Sequence, residues 1–245
     1  LRQCAVSSQL VAITGKTSGY SDFYTPGTWS SVQLNGRVYG LPMDSGPMAF
    51  FYNDSVFEQV GVDASKIRTW DDYYEAVASW FHRRHGWDID RQWMLYTSGV
   101  VPATSCAIKA LTLPGEKVIV MTPVYNCFFS SIRNQGCEVV ESKLLRQGDS
   151  YVVDWDDFRA KCADEKATVF LLCNPHNPAG RVWTREELAE IGRICADNGV
   201  FVISDEIHCE LVMPGHVFTP FAAVNEVTLH NSVTLNSPSK SFNTA

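Results

Sequence analysis

Lys240 stands in Ser237-Pro238-Ser239-Lys240-Ser241-Phe242-Asn243, and two earlier segments supply an amide and a carboxylate to go with it. They are Asn174-Pro175-His176-Asn177-Pro178-Ala179-Gly180 and Ser204-Asp205-Glu206-Ile207-His208. Together these groups suit a charged heterocycle with a carbonyl handle. Each residue alone has a plainer reading. A lone lysine is a solvated surface charge, Asn177 serves a turn or an N-cap, and Asp205 caps a helix.

The elements that must position them are legible. Each segment follows a short apolar run that reads as a buried strand: Thr168 to Cys173, Val200 to Ile203, and Ser232 to Leu235. Ligands of open α/β sheets sit in the crevice beyond the carboxyl ends of such strands. From Trp93 onward, strand and helix signals alternate. Met94-Leu95-Tyr96 reads as a strand running into a loop, then a helix opened by Pro102. Val118 to Met121 is a strand, followed by a helix through Phe128 and Ile132, then Val139-Val140 as strand. Trp155 to Cys162 is a helix. Thr184-Arg185-Glu186-Glu187 is a capping box for a helix that buries Leu188, Ile191 and Cys195 and stops at Asn198-Gly199. The pattern predicts an α/β fold, a mostly parallel sheet covered by helices.

This order of motifs resembles the fold-type I pyridoxal-phosphate (PLP) enzymes, aminotransferases and their relatives. Within them it is most similar to the cystathionine β-lyase-like C–S lyase branch. Further words carry that resemblance: Arg83-Arg84-His85-Gly86-Trp87, Ser98-Gly99-Val100-Val101-Pro102, Thr122-Pro123-Val124-Tyr125 and Pro214-Gly215-His216. It runs from about Tyr73 to Ala245, roughly two thirds of the chain.

The resemblance implies pyridoxal 5'-phosphate as cofactor, with a role for each matched residue. Gly99, Val100 and Val101 stand where a strand enters a helix, and a helix N-terminus holds phosphate; an ordinary turn is the plainer reading. Ser237 and Ser239 match the phosphate-side hydroxyls, Tyr125 the aromatic stacked on the pyridine ring. Asp205 is the partner of the ring nitrogen, Asn177 of the ring hydroxyl, with His208 near it; His176 is a loop residue of the family. Lys240 forms the Schiff base and then serves as the general base on the substrate α-proton. Loss of a β-thiol gives the lyase outcome, reprotonation of the cofactor carbon the aminotransferase outcome. The implied substrate is a small amino acid, and the family is typically homodimeric. No metal is called for.

Residues 1–72 follow another pattern. Gly27-Thr28-Trp29, Asn35-Gly36-Arg37-Val38-Tyr39-Gly40-Leu41-Pro42 and Asp44-Ser45-Gly46-Pro47-Met48-Ala49-Phe50-Phe51-Tyr52-Asn53 resemble an internal piece of an ABC-transporter extracellular sugar-binding protein. Asn35-Gly36 between Val32-Gln33-Leu34 and Arg37-Val38-Tyr39 signals a two-residue hairpin. Ala49 to Tyr52 reads as a strand, and Asp54 to Val60 as a helix closed by Gly61. Trp29, Tyr39 and Tyr52 read as core aromatics before sugar-stacking ones. Thr69 and Asp72 form a capping pair, after which Tyr73, Tyr74, Val77, Trp80 and Phe81 recur at helical spacing. One helix therefore bridges the two patterns with no Gly, Ser or Pro-rich linker, the signature of a chimera of residues 1–72, an α+β fragment, and residues 73–245. Family members run well past the lysine, so the large domain is expected to be incomplete and poorly active.

The 245 residues suffice for a sizeable core. A net charge of −7 argues against non-specific nucleic-acid binding. No apolar stretch reaches the roughly 18 residues of a membrane span. The 8 cysteines show no zinc spacing, and Cys106, Cys173 and Cys195 fall on segments expected to be buried, as in a reducing compartment. The longer part thus implies a cytoplasmic protein; the N-terminal part alone implies an exported one.

Overall fold

The computed structural model describes residues 10–41 and 63–242. The chain separates into two units, Leu1–Tyr52 and Asn53–Ala245. The expected strand at 49–52 and helix at 54–60 lie outside the described residues.

In the first unit, short 3₁₀ turns at Thr14–Lys16 and Tyr20–Phe23 lead to helix α1 (Pro26–Ser31). Strands β1 (Gln33–Leu34) and β2 (Arg37–Val38) then pair antiparallel, Gln33 opposite Val38. Asn35 and Gly36 both have positive φ, 49° and 71°, the demand of a type I′ turn. Trp29 and Tyr39 are half-buried rather than core residues. Trp29 stacks on Tyr24 with ring centroids 5.6 Å apart.

In the second unit a 3₁₀ turn at Ala64–Lys66 precedes helix α2 (Trp70–His85). Thr69 and Asp72 bond reciprocally as a capping box, and Gly86 ends the helix at φ 65°. Next come α3 (Val100–Leu111), β3 (Lys117–Thr122), α4 (Cys127–Arg133) and β4 (Glu138–Lys143). A hairpin of β5 (Leu145–Gln147) and β6 (Ser150–Val152) precedes α5 (Trp155–Cys162), β7 (Ala167–Cys173) and α6 (Arg185–Asp197). The last elements are β8 (Phe201–Asp205), α7 (Glu226–His230), β9 (Ser232–Leu235) and α8 (Pro238–Phe242).

Five strands form one sheet in the order β4-β3-β7-β8-β9, every neighbouring pair parallel. Alternation along the strands divides their side chains between two cores. Val118, Val120, Val169, Leu171, Cys173 and Ile203 pack with Val100 and Ile108 of α3 and Phe128 and Ile132 of α4. Ile119, Met121, Phe170, Leu172 and Val202 pack on the other face, with Phe158 of α5 and Leu188, Ile191 and Cys195 of α6. A sheet buried on both faces explains why its strands read as continuous apolar runs.

Three further expectations need correction. Residues 94–96 form no strand; Leu95 and Tyr96 are exposed, and a 3₁₀ turn at Arg91–Trp93 precedes them. Helix α3 therefore follows a loop, and it begins at Val100 with Pro102 as its third residue. Cys106 is exposed, because it lies on the face of α3 opposite Thr104 and Ile108.

Candidate functional site

Counted within the sheet, the strand order is 2-1-3-4-5, so chain direction diverges between β3 and β7. Such a switch point opens a crevice at the carboxyl ends of the strands. The loop after β3 carries Tyr125 and the loop after β7 carries Asn177. His176 links them. Its imidazole, 2% exposed, hydrogen-bonds through Nε2 to the Pro123 carbonyl at 2.9 Å and meets Trp183 edge-on. Burial holds this histidine below its ordinary pKa, and hence neutral, so its place is structural.

Register aligns the next segments. Cys173 stands opposite Asp205, and Asp205 opposite Leu235. The ladder continues one step beyond the strands, with Asn174 N–H donating to the Asp205 carbonyl at 2.9 Å and Glu206 N–H to Leu235 at 2.8 Å. Three strand exits thus end level, and α8 with Lys240 follows β9 directly.

Asp205 is 5% exposed. One carboxylate oxygen accepts from the Ile207 N–H at 3.2 Å, and no cation among the described residues is paired with it. Burial pushes its carboxyl up to about 6 against the pull of that N–H. A buried carboxylate without a cation is costly, and a protonated ring nitrogen fits that need. Neighbouring groups sense it. The Tyr125 phenol is pushed up by its bond with Cys127 first, then by burial, with the Asp205 charge adding. The Cys173 thiol is pushed up to about 12, mainly by burial and further by Asp205.

At the far end, Gly99 has φ 131° and no side chain caps α3. The first N–H groups of a helix have no partner within it, so Val100 and Val101 offer donors to an anion. Ser237 donates its hydroxyl to Ser239 Oγ at 3.1 Å, and Ser239 N–H returns to Ser237 Oγ at 3.2 Å. Lys240 is exposed. Half-buried His208 is held below its ordinary pKa by burial, and the Lys240 charge adds to that effect, so the two are neighbours. Asn177 is half-buried, its backbone N–H donating to Cys173 Sγ at 3.3 Å.

Two features escaped the sequence reading. Glu210 accepts from Trp80 Nε1 at 2.8 Å, hydrogen-bonds His85 Nε2 at 2.7 Å and accepts from Arg84 Nε at 3.1 Å. Burial pushes its carboxyl up, but the bonds from His85, Trp80 and Arg84 together outweigh that and hold it at about 2. Helix α2 is thereby tied to the turn after β8, which explains why Arg83-Arg84-His85 accompanies the Asp205 segment. Nothing in the local sequence marks Glu210, whose partners lie 125–130 residues away. The second is Glu206, wholly buried behind Asp205. The Asp-Glu doublet after an apolar strand was the signal for it.

The family model "Aminotransferase class I and II" matches residues 64–245, and "Bacterial extracellular solute-binding protein" matches residues 6–79. The chain thus joins segments similar to two different families. Cystathionine beta-lyase PatB of Bacillus subtilis is 42% identical over 171 residues, 70% of this chain and 44% of that protein. Protein MalY of Escherichia coli is 35% identical over 173 residues, 71% of this chain and 44% of that protein. The chain spans under half the length of these curated relatives. Among solved structures, cystalysin from Treponema denticola, which contains a pyridoxal 5'-phosphate cofactor, superimposes with a TM-score of 0.71 at 35% identity. That match covers 83% of this chain and 53% of cystalysin. The PLP-bound C-S lyase from Staphylococcus hominis gives 0.67 at 33%, covering 72% and 45%.

Proposed function

The chain belongs to the aminotransferase class I and II family, and from that premise we propose a PLP-dependent C–S β-lyase acting on small sulfur amino acids. The observation that carries it is Asp205, buried without a cation at the exit of β8. Lys240 leaves the adjacent strand exit. When bound, PLP supplies an aldehyde for an amine and a protonated ring that draws electrons from the substrate α-carbon.

Each residue then has a defined task. Lys240 Nζ would hold the aldehyde and, once free, would take the substrate α-proton as general base. Asp205 would keep the ring nitrogen protonated. Asn177 would hydrogen-bond the ring oxygen, with His208 near it. Tyr125 would stack on the ring. The N–H groups of Gly99, Val100 and Val101, together with the Ser237 and Ser239 hydroxyls, receive the phosphate. A low-dielectric setting strengthens the Asp205–pyridinium attraction, which offsets the desolvation that the carboxylate bears alone.

We put the change of family at about residue 72, dividing 1–72 from 73–245. The overlap of the two matches at 64–79, across the start of α2, supports it. A homodimer and a cytoplasmic location complete the reading; the seven free cysteines among the described residues support the latter. Among the described residues no helix is long and apolar enough to cross a membrane.

Borohydride reduction after adding PLP, followed by peptide mapping, tests the assignment. The expected result is a visible Schiff-base band that appears with PLP and is lost on reduction, and a label on Lys240. A label spread over other lysines, or unchanged in Lys240→Ala, refutes it. Pyruvate released from cystathionine identifies the lyase, whereas transfer of the amino group to a keto acid identifies an aminotransferase.

A further inference from the structure

Glu206 lies on the opposite face of the sheet from Asp205, 0% exposed, beside Phe221 in the core covered by α6. Its Oε1 accepts three hydrogen bonds: from Ser204 Oγ at 2.8 Å, from the Phe221 N–H at 2.8 Å and from Asn174 Nδ2 at 3.2 Å. Asn174 Nδ2 also donates to the Thr219 carbonyl at 3.0 Å. Two buried atoms in this knot have no partner, Glu206 Oε2 and Asn174 Oδ1. They belong to side chains already bonded to each other by their other edges.

We propose that Glu206 is a positioning residue that keeps its proton, pairing as a carboxylic acid with both edges of the Asn174 amide. Through that pair it ties the Asn177 loop and segment 219–221 to the exit of β8. A carboxylic acid and an amide are complementary: the amide N–H donates to Oε1 while the Oε2 proton donates to Oδ1. One proton thus satisfies both orphans, each of which is costly when left unmet. No lysine, arginine or histidine among the described residues forms an ion pair with Glu206; its charged neighbour is Asp205, and Cys209 is the other titratable group beside it. Burial pushes the Glu206 carboxyl up to about 7 against the bonds from Phe221, Ser204 and Asn174, with Asp205 raising it further. A neutral Glu206 leaves Asp205 the single anion of the adjacent pair, free to face a cationic ring.

The consequence for PLP rests on the function proposed above, so the test has two arms. Glu206→Gln reproduces both edges of the pair, whereas Glu206→Leu keeps the bulk and abolishes them. We expect Gln to bind PLP about as tightly as the wild type with the same visible band. Leu should weaken binding by about 10–100-fold, as loss of a supporting partner does elsewhere. In the cofactor-free chain, infrared spectroscopy should show a protonated-carboxyl band that vanishes in Gln. Hydrogen exchange should quicken at 174–180 and 219–221 in Leu while α6 stays protected. Equal weakening in Gln and Leu, absence of the carboxyl band, or unchanged exchange in Leu overturns the proposal. Failure of the wild type to capture PLP overturns the proposed function alone, because infrared and exchange still decide the pair.

Discussion

Asp205→Asn should make the cofactor-free chain more stable at pH 8 while abolishing tight PLP capture. The folded state holds the Asp205 proton more tightly than the unfolded chain does, with a pKa of about 6 against 3.8. Its contribution to stability therefore falls as pH rises from 3.8 to about 6, and it stays lost above that. At 1.36 kcal/mol for each pH step, that interval comes to about 3 kcal/mol of destabilisation at pH 8. Asparagine escapes this cost and still accepts from the Ile207 N–H. Urea unfolding of both proteins at pH 4 and pH 8 is the assay. The variant should gain up to about 3 kcal/mol at pH 8 and almost nothing at pH 4. Saturating PLP should reverse the ranking, since ligand that binds only the folded state stabilises it by mass action. A variant no more stable than the wild type at pH 8, or one that captures PLP equally well, would refute the reasoning.

Glu210→Ala should cost about 3 kcal/mol at neutral pH, because it takes from the buried His85 side chain the carboxylate that it bonds. The Glu210 pKa is depressed, so its contribution is complete above 4.5 and disappears as pH falls towards about 2, a slope that acid titration of the two proteins should show. Gly192→Ala drives a Cβ into Thr228 Cγ2 and should destabilise by about 1–3 kcal/mol, read as a lowered Tm. Among the described cysteines, Cys106 should react first with a thiol reagent, then Cys127. Cys137, Cys162, Cys173, Cys195 and Cys209 should react only after unfolding, and mass mapping at timed intervals checks the order.

Much of the fold was legible because local signals and tertiary context agree. The capping boxes at Thr69 and Thr184 start α2 and α6 where the spacing predicts, and Asn35-Gly36 makes the hairpin. The strands of a sheet covered on both faces are apolar throughout, so they stand out without knowledge of their partners. Where a segment owes its state to neighbours, the sequence misleads. Met94-Leu95-Tyr96 has strand-like residues, but the sheet offers it no place, and Cys106 is apolar in type yet lies on the outer face of α3. The resemblance names Asp205, Asn177, Tyr125 and Lys240, because those residues sit in ordered local motifs. Their sequence cannot say which strand lies beside which. The order β4-β3-β7-β8-β9 opens the crevice between β3 and β7, and the level ends of β7, β8 and β9 bring the segments to one edge. The same packing leaves Asp205 without a cation, turns Glu206 to the opposite face and brings Glu210 to His85 across 125 residues. Burial and charge pairing are properties of what surrounds a group, and only the folded chain supplies those surroundings.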